Sequence, residues 1–228
     1  MLTPEPRSFR LSSEFRYLLS VPENPGPAPV AFVTLHGYGS TPGAMLRLTA
    51  MTAGSGHPIA ALEGPNQFYP SGTGGEAGYN WGVGAHAESN VPLHHQMMLF
   101  VLGELRARFG VPAARCILVG FSQACGLNYR FLGTHPGQAG GSIAFCGGVP
   151  FDWETGPFAE RIPASALHIS RDSDEFYPVE KSCAFPDRLR RRIEDVEFHM
   201  LPGGHRFPSK SGPLVRQWLA TRFGVPGS

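Results

Sequence analysis

Three residue types suited to nucleophilic acyl transfer occur in one order along the 228-residue chain: Ser122, a carboxylate group at Asp172, Asp174 and Glu175, and His205. A serine hydroxyl is a poor nucleophile at neutral pH and needs a general base to take its proton during attack. Ser122 lies in Gly120-Phe121-Ser122-Gln123-Ala124, which fits G-x-S-x-G except at its last position, where Ala124 adds a methyl group. Small flanking residues let a strand turn sharply into a helix and push the hydroxyl into a cleft.

Of the nine histidines, most have ordinary placements, such as His199 inside a strand-like run and His135 beside Pro136. His205 follows Pro202-Gly203-Gly204, directly after the last apolar run, where a flexible loop can carry an imidazole over the sheet edge as the general base. The acid that orients it belongs between serine and histidine, at a strand end. Asp172, Asp174 and Glu175 all meet that condition, and a carboxylate not so used is expected to bond turn N–H groups. An oxyanion hole needs the N–H after the nucleophile and another from an earlier strand-to-helix loop. Gln123 and Tyr38 occupy those positions, while His36, just before, is expected to stabilise its loop and not to transfer protons.

The elements that must position these residues read as an α/β pattern. Phe15–Val21 is a strand candidate ending at Pro22, and Glu23–Pro29 reads as a turn leading into the next strand, an antiparallel start. Val30–Leu35, Ile59–Leu62, Cys116–Val119, Ser142–Cys146, Ala166–Ser170 and Val196–Leu201 are apolar runs of the kind buried on both faces of a sheet. Thr41-Pro42 predicts an N-cap and first helical residue. Further helices are predicted over 93–109, stopped by Gly110, over 123–135, and through Leu214 to Leu219. Such alternation predicts a mainly parallel sheet with helices on both faces and right-handed crossovers. Residues 63–92 contain seven glycines and show neither helix nor strand period, which marks a functional loop beside the site.

Hydrophobic residues make up 42% and charged residues 16% of the chain, with a formal net charge of +1. The length and composition predict one domain over 1–228. The balanced charge gives no reason to expect nucleic acid or an anionic membrane as partner. Cys116, Cys125, Cys146 and Cys183 lack C-x-x-C or zinc spacing, so free buried thiols and no metal are expected. Residues 1–13 lack an apolar h-region and no run is long enough to span a membrane, so a cytoplasmic protein is expected.

Leu35-His36-Gly37-Tyr38-Gly39, Gly120-Phe121-Ser122-Gln123, Asp174 with Tyr177-Pro178, and Gly204-His205 together resemble the phospholipase/carboxylesterase family, which includes acyl-protein thioesterases. The resemblance spans most of the chain. It implies an α/β-hydrolase fold, hydrolysis of small-molecule esters or thioesters without a cofactor, and Ser122, Asp174 and His205 as a catalytic triad. It also favours Asp174 over Asp172. The sequence departs from the family at Ala124 and at Tyr38-Gly39-Ser40, where the thioesterases tend to have Leu-Gly-Asp. Gly64-Pro65-Asn66 and Tyr79-Asn80-Trp81-Gly82 resemble the loop that borders the family's acyl pocket, so Trp81 is expected either to wall the substrate site or to pack the loop against the body, and Phe121 and Phe176 are further candidates for the pocket. Lactone or peptide hydrolysis on the same residues, and a non-catalytic binding module, are the competing expectations, since the fold alone does not set function.

Overall fold

The computed structural model describes residues 12–23, 29–82 and 87–226, together with residues 7 and 9. In chain order the elements begin with β1 (Tyr17–Ser20), β2 (Ala31–Leu35), α1 (Pro42–Ala53), β3 (Ile59–Leu62), β4 (Asn66–Phe68), β5 (Gly78–Asn80) and α2 (Ala87–Phe109). They continue with β6 (Cys116–Phe121), α3 (Gln123–Thr134), β7 (Gly141–Phe145), β8 (Ile162–Arg171), α4 (Val179–Ser182), α5 (Phe185–Arg190), β9 (Ile193–Leu201) and α6 (Gly212–Phe223). Seven strands form a sheet in the order β1-β3-β2-β6-β7-β8-β9. All neighbours in it are parallel except β1 and β3.

The apolar runs become strands whose alternate side chains feed two cores. Val33 and Leu35 of β2 and Leu118 of β6 point to one core with Met98 and Leu102 of α2, Tyr129 and Leu132 of α3, and Leu189 of α5. Phe32 of β2 and Ile117 and Val119 of β6 point to the other, with Met45 of α1 and Val215, Trp218 and Leu219 of α6. This period-two partition is why the central strands are apolar throughout. Each large side chain so buried contributes about 1.5–3 kcal/mol relative to exposure. The mainly parallel sheet with both faces covered is the α/β-hydrolase fold.

Local signals held where they were strong. Thr41 caps α1 by accepting from Ala44 N–H at 3.2 Å, and Pro42 takes the first turn. Gly110 stops α2 with φ 64° and donates to Arg106 O at 3.0 Å.

The antiparallel start is present, with β3 as its neighbour, and two other expectations need correction. β1 lies antiparallel to β3, with Tyr17 opposite Leu62, and does not pair with β2. Both edges of β2 are already taken by β3 and β6. Most of the Glu23–Pro29 turn, residues 24–28, lies outside the described residues. Residues 63–92 are more regular than their composition implied: β4 and β5 form an antiparallel hairpin with Asn66 opposite Asn80, and α2 starts at Ala87. Strands of three residues are too short to show a period, and Pro92, the last residue of that segment, lies inside the helix. Cys183 is exposed at the end of the short α4, whereas Cys116, Cys125 and Cys146 are buried, and all four are free.

Candidate active site

The carboxyl ends of the parallel strands carry the candidate residues. Ser122 follows β6, the central strand, and Tyr38, Asp174 and His205 follow β2, β8 and β9. Ligands of open α/β sheets bind beyond these ends.

Ser122 sits at the strand-to-helix turn with φ 55° and ψ −115°, a conformation that a non-glycine residue holds only when its surroundings impose it. Its N–H donates to Phe145 O at 2.9 Å and its carbonyl accepts from Cys125 N–H at 3.1 Å, fixing the residue from both sides. The turn also requires a glycine two residues earlier. A Cβ on Gly120 would lie 2.9 Å from Asn128 Nδ2 and 3.1 Å from the Ala124 carbonyl carbon. The G-x-S part of the motif is thus a packing requirement, and the methyl of Ala124 is absorbed in the buried core.

His205 joins Ser122 to Asp174. Its Nε2 is 2.8 Å from Ser122 Oγ and its Nδ1 is 2.8 Å from Asp174 Oδ2. With Nδ1–H donating to the carboxylate, Nε2 is left as an acceptor for the serine hydroxyl. Asp174 is 3% exposed, and its other oxygen accepts from the N–H groups of Phe176 and Tyr177 at 2.9 Å each. The imidazole stacks on Phe121 with centroids 5.3 Å apart and meets the edge of Phe176 at 4.8 Å.

The rival carboxylates are placed differently. Asp172 is exposed and accepts from Ser173 Oγ and Gly203 N–H, both at 2.9 Å, joining the loops after β8 and β9. Glu175 accepts the His205 N–H at 3.1 Å. Asp172 therefore has the backbone-bonding role foreseen for a carboxylate that does not orient the imidazole.

The candidate oxyanion donors flank the serine. Gln123 is the first residue of α3, so its N–H has no acceptor within the helix. Gly39 N–H donates to Tyr79 O and Ser40 N–H to Gly37 O, while among the described residues no acceptor is bonded to Tyr38 N–H. His36 is fully buried, donates from Nδ1 to Gly37 O at 2.8 Å, and accepts at Nε2 from Gly64 N–H at 3.1 Å. Burial lowers its pKa. It is a neutral brace of the loop, as its position implied.

Beside the elbow runs a groove of ≈ 680 Å³ between the first turns of α2, the start of α3 and residues 150–152. Val91, Pro92, Leu127 and Pro150 give it apolar walls, and Gln123 lines the part nearest the serine. It also includes Arg130 and Asp152, whose ion pair has contacts of 2.5 and 3.0 Å. Trp81 borders it but is only 2% exposed, its Nε1 donating to His36 O at 2.8 Å, so wall and structural brace are one residue. Phe121 lies under the imidazole, and Phe176 is 66% exposed at its edge; neither lines the groove. Sequence reasoning missed Arg130, Asp152 and the side-chain bonds of Gln123, because their partners lie far away along the chain.

A family model described as Phospholipase/Carboxylesterase matches residues 19–222. A search of curated proteins returned no significant match. Among solved structures, esterase PE8 is similar with a TM-score of 0.73 at 22% identity, covering 92% of this chain and 99% of its own. A carboxylesterase from Mesorhizobium loti gives 0.73 at 20% identity, covering 90% and 94%. Zea mays acyl-protein thioesterase 2 gives 0.68 at 16%, covering 92% and 99%. At these identities the structures establish a shared fold.

Proposed function

Since the chain belongs to the phospholipase/carboxylesterase family, we propose that it is a serine esterase that cleaves carboxylic esters or thioesters through an acyl-enzyme on Ser122. Ser122 Oγ attacks the acyl carbonyl while His205 Nε2 takes its proton, and Asp174 holds the imidazole in the required tautomer and stabilises its charged form. The oxyanion of the tetrahedral intermediate is received by the N–H groups of Tyr38 and Gln123. His205 then protonates the departing alkoxide or thiolate. A water, deprotonated by the same nitrogen, attacks the acyl-enzyme, and collapse of the second intermediate releases the acid and returns the proton to Ser122.

One observation carries the proposal: the unbroken chain from Ser122 Oγ to His205 to Asp174, with both contacts at 2.8 Å. The groove that starts at Gln123 gives an apolar acyl chain a place to lie. We assign the whole reaction to one domain, with no metal or cofactor in it. No described helix is long and apolar enough to cross a membrane, and a cytoplasmic location remains part of the proposal. Because one structural neighbour is a thioesterase, thioesters belong in the substrate panel.

The test is hydrolysis of p-nitrophenyl acetate and an acyl thioester by wild type and Ser122→Ala, with fluorophosphonate labelling read by mass spectrometry. Wild type is expected to turn over and to carry one adduct on Ser122. The variant should lose the adduct and roughly 10⁴-fold or more in kcat. Undiminished turnover by Ser122→Ala would sink the proposal.

A further inference from the structure

The two proposed oxyanion donors sit on different loops, Tyr38 after β2 and Gln123 at the start of α3. No hydrogen bond between them fixes their separation among the described residues. Preorganisation is what makes such donors effective, because they must already point where charge develops. The β2–β6 pairing holds the two loops side by side as far as Leu35 opposite Gly120; beyond that register a third element can hold the donors themselves.

Residues 78–82 run between the two loops and are bonded to both. On the Tyr38 side, Gly39 N–H donates to Tyr79 O at 2.8 Å and Tyr79 N–H donates to Ser40 O at 2.9 Å. The contact is close enough that a Cβ on Gly78 would lie 2.1 Å from Gly39 O. On the nucleophile side, the Gln123 side chain is held at both ends: Nε2 donates to Gly82 O at 2.6 Å and Oε1 accepts from Trp81 N–H at 3.2 Å. A primary amide matches this pair of backbone groups because it carries a donating NH2 and an accepting carbonyl oxygen in one plane. Trp81 Nε1 donating to His36 O at 2.8 Å ties the same segment back to the β2 loop.

We propose that the Gln123 side chain is a positioning residue of the oxyanion hole, clamping residues 79–82 as a strap that fixes the Tyr38 N–H relative to the Gln123 N–H. The assignment rests on the acyl-enzyme function proposed above. It gives the glutamine after the nucleophile a task separate from that of its own backbone amide. Trp81 and Gly82 of the strap also line the groove, so oxyanion geometry and substrate wall are set by one clamp.

The experiment compares wild type, Gln123→Met, which has similar length but neither hydrogen bond, and Gln123→Glu, which keeps the acceptor toward Trp81 and, when ionised, loses the donor toward Gly82. The measurements are kcat and KM on p-nitrophenyl acetate, inhibition by an alkyl trifluoromethyl ketone that forms a tetrahedral oxyanion adduct, and thermal unfolding. Gln123→Met is expected to lower kcat about 10- to 100-fold, with the inhibitor weakened by a similar factor and KM changed less than about 3-fold. Gln123→Glu, which sets an ionised oxygen against Gly82 O in place of the donor, should lose at least as much. A purely structural role would lower the unfolding temperature without this matched loss of kcat and inhibitor affinity. Folded Gln123→Met with unchanged kcat and inhibition overturns the clamp, as does a loss confined to KM. Where Gln123→Met fails to fold, the same readouts on Gln123→Glu decide. If wild type itself shows no turnover and no Ser122 adduct, it is the proposed function that fails; a fully active Gln123→Met beside an active wild type refutes the clamp alone.

Discussion

Asp174 and Asp172 are two residues apart and chemically identical, yet the fold gives them opposite surroundings. Asp174 is buried, with two backbone N–H groups on one oxygen and His205 on the other. Asp172 is exposed and bonds Gly203 and Ser173. Replacing Asp174 with Asn presents an amide that can donate toward Nδ1 and so favours the wrong imidazole tautomer. Asp174→Asn is therefore expected to lower kcat about 10³- to 10⁴-fold. Asp172→Asn keeps an acceptor for Gly203 and should stay within about 3-fold of wild type. Steady-state kinetics on p-nitrophenyl acetate checks both, and equal losses would contradict the assignment. At this scale the sequence was informative where a residue's place after a strand limits what it can reach, as for Ser122, His205 and Tyr38. It could not separate Asp172 from Asp174 without the family resemblance, because which carboxylate faces inward is set by the turn. Nor did it expose the partners of the Gln123 side chain, which lie 41 and 42 positions away.

Among the elements, α3 carries the most functional constraint. Its first residue carries one of the two proposed oxyanion donors, its side chains at Tyr129 and Leu132 enter the core, and its outer turns at Gly126, Leu127 and Arg130 line the groove. A Cβ at Gly126 would meet only Gly148 O, at an ordinary 3.5 Å, so this helical position accepts a larger residue. Gly126→Leu is expected to fold and to fill part of the groove. The ratio of kcat/KM for p-nitrophenyl octanoate to that for the acetate should fall about 10-fold or more. An unchanged ratio would show that the acyl chain lies elsewhere. Elements with a strong internal pattern, such as β2, β6 and α1, were legible because apolar runs and caps are local properties. The placement of β1 and the β4–β5 hairpin was not, since partner choice depends on which strand edges remain open after the parallel core forms.

Viewed as a whole molecule, the chain buries an unusual set of neutral imidazoles behind the site. His94 has no partner on either ring nitrogen among the described residues and packs edge-on to Trp81, 5.8 Å between centroids. Burial, reinforced by neighbouring His95, pushes its pKa down to about 3. Burial likewise takes His95 to about 4, helped by His135 and Arg130, and His168 to about 4 against a backbone hydrogen bond at Gly147 that raises it. All three pKa values are depressed in the fold, so below the ordinary histidine value of 6.5 the unfolded chain binds protons that the native state refuses. Their stabilisation is complete above that pH and is lost progressively as the pH falls toward 4. Urea unfolding midpoints should drop between pH 6.5 and 4.5, and His94→Leu should flatten the dependence; a midpoint insensitive to pH over that range would contradict the account. The distribution of thiols has a practical counterpart. Burial raises the pKa of Cys116 to about 11 and of Cys146 to about 12, and lifts that of Cys125 as well, while Cys183 stands in solvent just beyond α4. A maleimide fluorophore offered to the native protein therefore has one preferred address. That address lies nine residues after Asp174, where a label can report whether the segment after β8 moves when substrate is added, without engineering a cysteine.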